Sequence, residues 1–213
     1  MDEAEKNIWW RLNDSWKRIV KSLPLIFIPI IGIAYAIICW ANRIGIAIKL
    51  YKLKREMPDH PEFKKISKNY LLGIIVPIIN QFLWSKAINS IMKFLEPYGI
   101  DKEDVIYVEK KGKIYANLGI IFQIILFGFI IVIFIFTFQL VFLTFKGIIG
   151  GPLHPASFAA LETSLDIVIV MLIITIILLG FTIIVAVVLI VLEIKITNRL
   201  IKSISTAKLD ISS

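Results

Sequence analysis

Two runs in this chain, Leu118–Phe145 and Ile167–Leu192, contain no charged residue. Each is longer than the roughly 20 apolar residues with which a helix crosses a hydrocarbon core of about 30 Å. The chain has 213 residues, of which 58% are hydrophobic and 19% charged. A soluble domain of that size leaves much of its surface in water and cannot hide so much apolar side chain. A bilayer removes the difficulty by acting as the apolar solvent. The expected class is therefore all-α, a polytopic integral membrane protein in the cell membrane. The net charge of +8 points to basic residues held against anionic headgroups. Membrane lipids, rather than nucleic acid, are the expected partners.

The chain before these runs reads as three segments. Residues 1–22 form a first helix, in which Trp9, Leu12, Trp16, Ile19, Val20 and Leu23 recur at helical spacing along an apolar arc. Arg11, Asp14, Lys17, Arg18 and Lys21 lie on the other side. With no soluble core in view, this helix is expected to lie in the membrane interface. Trp9, Trp10 and Trp16 then sit at headgroup level, and Lys17, Arg18 and Lys21 meet anionic lipid. The other reading packs the same face on the protein's own membrane domain.

Residues 23–95 hold two apolar runs broken by proline, with a basic loop between them. The first, Leu23–Ala41, contains Pro24, Pro29 and Gly32; the second, Tyr70–Trp84, contains Pro77. Proline lacks an amide donor and disfavours helix in the residue before it. Phe27-Ile-Pro-Ile-Ile31 resembles Ile75-Val-Pro-Ile-Ile79 closely enough to raise an internal duplication. Residues 96–117 are expected as a polar cytoplasmic loop, and 193–213 as a basic helical tail.

Sidedness follows from lysine and arginine in short loops. The 24 basic residues divide as five before the first broken run, eight over Arg43–Lys68, six over Lys86–Lys113, one at Lys146 and four in the tail. Four plain crossings leave the loop Arg43–Lys68 outside, against the charge rule. If both broken runs dip in and return, 23 of the 24 lie on one side. The re-entrant arrangement is preferred, with both termini cytoplasmic. Its cost is that non-helical backbone at membrane depth needs polar partners.

The segment 118–192 is expected to form an antiparallel transmembrane hairpin. Thr137 and Thr175 fall at matching depth and are expected in the contact between its helices, where small and hydroxyl residues allow close approach. Alternatively each hydroxyl bonds its own helix.

Chemistry is sparse. His60 and His154 have no second ligand at metal spacing, and one cysteine, Cys39, permits no internal disulfide. No motif for a catalytic nucleophile, a cofactor or a nucleotide appears. Neither long run carries the central ionisable residue that ion pumps keep. The expected role is non-catalytic, by contact: an accessory subunit, a scaffold or a bilayer-shaping protein, self-associating or bound to other membrane subunits. The alternative is a small oligomeric transporter or channel with a path near Pro77, Asn80, Gln81 and Lys86, since matched broken segments often flank such a site. Lys86 otherwise snorkels to the headgroups.

Overall fold

The computed structural model describes residues 3–27, 31–57, 60–76, 79–149 and 155–207, with side chains over 5–26, 34–57, 60–76, 79–142 and 166–207. Among these residues the chain is all-helical. Six long helices follow one another: α1 (Glu3–Ser22), α2 (Ile31–Glu56), α3 (Glu62–Ile75), α4 (Asn80–Leu95), α5 (Lys102–Ile149) and α6 (Pro155–Thr206). Short 3-10 turns, Leu23–Phe27 and Glu96–Tyr98, follow α1 and α4. Two compact units result, one of residues 1–120 with 188–213, the other of 121–187.

The larger unit is built from antiparallel pairs. Lys49 Nζ of α2 donates to Arg11 O at 3.1 Å and also to Ser15 Oγ of α1, so the late part of α2 lies beside the early part of α1. In the second pair, Phe63 of α3 meets Phe94 of α4 at 4.6 Å between ring centres. At the other end, Gly73 lies so close to α4 that an added methyl would sit 3.2 Å from Asn80 O and Trp84 N. Neither proline-broken run is thus a straight helix. The first is divided between the Leu23–Phe27 turn and α2, the second between α3 and α4. Pro29 and Pro77 themselves lie outside the described residues.

Helix ends follow local chemistry. Gly99 takes a left-handed φ of 86° and its N–H donates to Glu96 O at 3.3 Å. A side chain there would strain the backbone, so glycine closes the α4 hairpin. Asp101 then caps α5, its Oδ1 accepting from Glu103 N at 2.9 Å. Glu103 and Asp104 occupy the first turn, favoured by the helix dipole.

One sequence expectation needs correction. The segment 96–117 is not a loop, because α5 starts at Lys102 and runs unbroken through the charged stretch into the apolar one. The helical basic tail is the continuation of α6, which runs to Thr206. Neither junction holds a proline or a left-handed glycine, and a change in hydropathy does not by itself stop a helix. At 1.5 Å per residue, α5 and α6 are about 72 Å and 78 Å long. Both are long and apolar enough to cross a membrane.

Among the described side chains of the smaller unit, many large apolar ones are exposed. Phe134 is 72% exposed, Ile124 67% and Ile177 65%. The larger unit has a closed core instead, where Leu12, Ile46, Leu50, Leu53, Phe63, Ile88 and Leu200 have no exposed surface.

Candidate functional site

The apolar face of α1 is received by protein. Trp9 and Trp16 are each 1% exposed. Trp9 stacks on Phe94 at 6.0 Å, nearly parallel, and meets Phe63 edge-on at the same distance. Phe94 also touches His60 at 5.1 Å and Tyr98 at 5.4 Å. The expectation that lipid receives Trp9 and Trp16 is therefore corrected. Periodicity reported a buried face truly, but α3 and α4 supply the core that covers it. Trp10, Lys17, Arg18 and Lys21 do lie exposed on the other side, Arg18 paired with Asp14 at 2.7 Å.

The centre of the larger unit is polar. Arg43 of α2 is ion-paired with Glu193 of α6 through Nη2 and Oε1, and Tyr115 of α5 donates to Glu193 Oε2 at 3.0 Å. The carboxylate is thereby satisfied at both oxygens. Its side chain is 5% exposed and that of Arg43 21%. Burial is the largest influence and opposes the Arg43 charge, but the Glu193 carboxylate together with Tyr115 and Tyr70 outweighs it and holds the guanidinium protonated. Tyr70 of α3 lies within electrostatic reach of the pair, and Trp84 of α4 packs on Tyr115 at 5.0 Å. The buried Tyr70 hydroxyl faces the indole N–H groups of Trp16 and Trp84, and the Trp9 indole N–H is buried with no hydrogen-bond partner among the described residues.

Two further charge clusters tie α5 to its neighbours. Asp104 is nearly buried and takes Arg199 on one oxygen and Lys202 at 3.7 Å on the other. The Arg199 guanidinium lies 4.9 Å over the Tyr107 ring. On the outer face, Glu109 bridges Lys113 at 3.1 Å and Lys93 of α4 at 3.5 Å. Sequence reading found neither these nor the central pair. The available signals were Arg43 inside the apolar pattern of α2 and Glu193 at the foot of a chargeless run.

Close backbone approach joins α4 to α5. A methyl added at Gly112 would meet Ser85 Oγ at 2.5 Å, and one at Gly119 the Gln81 side chain at 2.6 Å. This places Gln81 against α5. Lys86 is exposed, with its ammonium 5.7 Å over the Phe82 ring. Asn80 is spent locally, its Oδ1 accepting from Gln81 N at 2.7 Å. Gln81 and Lys86 therefore face different ways: five residues along a helix turn a side chain by about 140°. The structure does not gather Asn80, Gln81 and Lys86 into one path.

Thr137 and Thr175 each donate to their own helix, to Ile133 O at 2.8 Å and Met171 O at 2.7 Å. Thr137 is exposed. Both hydroxyls thus follow the alternative reading of bonding to their own helix, which satisfies a hydroxyl without a neighbour. His154 lies outside the described residues. Among the described residues, no three His, Cys, Asp or Glu side chains converge in a way that could hold a metal. No protein family, curated protein or solved structure matches this chain at a significant level.

Proposed function

We propose that this chain is a multi-pass membrane protein that works by contact rather than catalysis, as an accessory subunit, scaffold or bilayer-shaping element. The observation that carries the reading is the pair of chargeless helices whose isoleucines and phenylalanines face outward. Water penalises each such side chain by about 1.5–3 kcal/mol relative to burial, and lipid does not. α5 and α6 make the two crossings. The larger unit stays on the cytoplasmic side with both chain ends, in keeping with its surplus of lysine and arginine.

The two helical hairpins add a shallow wedge. Where the described helices come nearest each break, Ile37 is 61% exposed, Ile75 64% and Ile79 42%. Gln81 packs on Gly119, the second residue of a chargeless run, so the start of α4 lies near the start of that run. These helix ends then enter one leaflet only, which displaces lipid asymmetrically. The ionisable groups that meet in the core engage one another, as Arg43, Glu193 and Tyr115 do. They hold helices together.

Cysteine accessibility tests this. Single cysteines at Pro58 and Gly99 in a Cys39→Ser background should react with an impermeant thiol reagent only from the cytoplasmic face. Labelling of the Pro58 site from outside intact cells rejects the re-entrant arrangement.

A further inference from the structure

Several exposed side chains of the larger unit lie near one level. Ser85 faces Gly112 and Gln81 faces Gly119, so Phe82 lies level with the start of the chargeless run at Leu118. On α2, Arg43 reaches Glu193, the residue that ends the other chargeless run, and Trp40 lies about one turn nearer the hairpin turn. Lys21 belongs to the last turn of α1, on the same approach to the first hairpin turn. Three helices thus present an exposed aromatic or lysine near one plane: Lys21 on α1, Trp40 at 57% exposure on α2, and Phe82 at 47% with Lys86 on α4. Lys86 bends toward the same plane, its Nζ lying 5.7 Å over the Phe82 ring one turn back.

Tryptophan and phenylalanine favour the layer between water and hydrocarbon, and lysines beside them meet lipid phosphates. We infer that Lys21, Trp40, Phe82 and Lys86 form a girdle on the larger unit that binds the phosphates of anionic phospholipids in the adjacent leaflet. This rests on the membrane reading above and replaces Trp9 and Trp16 as the interfacial aromatics. Charge complementarity chooses the lipid class: the girdle holds two exposed ammonium groups, and zwitterionic headgroups offer them no net charge.

The full chain in mixed micelles of phosphatidylglycerol and phosphatidylcholine tests the inference by native mass spectrometry. The wild type should retain phosphatidylglycerol preferentially, by about fivefold for each lysine. Lys21→Glu with Lys86→Glu should bring the ratio to parity, while Lys64→Glu with Lys65→Glu, exposed on α3 far from the plane, should leave it unchanged. In vesicles with brominated acyl chains, Trp40→Phe should remove most tryptophan quenching and Trp16→Phe little. Preference unchanged in the girdle variant, or lost equally in the α3 variant, overturns the girdle. Release of the wild type from membranes by alkaline carbonate overturns the membrane reading beneath it instead.

Discussion

Arg43 and Glu193 stand 150 positions apart in the chain and meet in an ion pair that pins α2 against the foot of α6. Both charges are largely withdrawn from water, and the carboxylate takes a second hydrogen bond from Tyr115. Such a pair adds little net stability over apolar substitutes, but breaking it strands a buried charge.

Glu193→Gln should therefore destabilise the larger unit by about 3–5 kcal/mol, seen as a lowered melting temperature in detergent. The double change Arg43→Met with Glu193→Leu should cost less than either half alone. A single-variant loss below about 1 kcal/mol would show that the guanidinium finds water or another partner.

Glycine at two positions on α5 is a packing requirement. Gly119→Val should cost about 1–3 kcal/mol because Gln81 occupies the space. Gly128→Val should be far milder, since nothing lies within 4 Å of that position. Melting curves of the two variants, run side by side, decide the matter. Equal effects would mean that α4 and α5 do not approach at Gly119.

Phe94 is the hub of the aromatic cluster that receives α1. Phe94→Ala should cost about 3–5 kcal/mol and expose α1 to protease. Phe134→Ala, on a side chain 72% exposed, should leave the cleavage pattern as it is.

Lys49 offers a pH readout. Burial pushes its ammonium below the ordinary lysine value, and Arg18 adds repulsion while Asp14 opposes both. A lysine whose folded pKa is depressed is penalised most below that pKa, and the penalty fades as pH rises toward 10.5. Titration of dimethylated lysines by NMR should place Lys49 below its neighbours. Arg18→Gln should move it back up, since it removes a cation and frees Asp14 from its pair.

Composition and periodicity carry the helical class and the two long apolar helices. The reason is that these depend on neighbours within a turn or two. The Trp9–Trp16 face was legible as apolar, but its cover was not, because Phe63 and Phe94 are distant in sequence. Arg43 and Glu193 were hidden for the same reason. The charged first turns of α5 resembled a loop, since charge was mistaken for a helix stop. Gly112 and Gly119, seven apart on one helix face, were an available sign of close packing that went unused.

Asn13 near the start donates to Ser205 near the end, 192 positions away, at 3.2 Å. The ribosome must therefore add 192 residues after Asn13 before α1 acquires this neighbour. During synthesis, Asn13 and the face of α1 around it wait for α6, in a compartment crowded with other greasy surfaces. Biogenesis, more than the finished assembly, is where this architecture is most vulnerable, and nascent chains stalled before α6 emerges are the species to watch for chaperone capture.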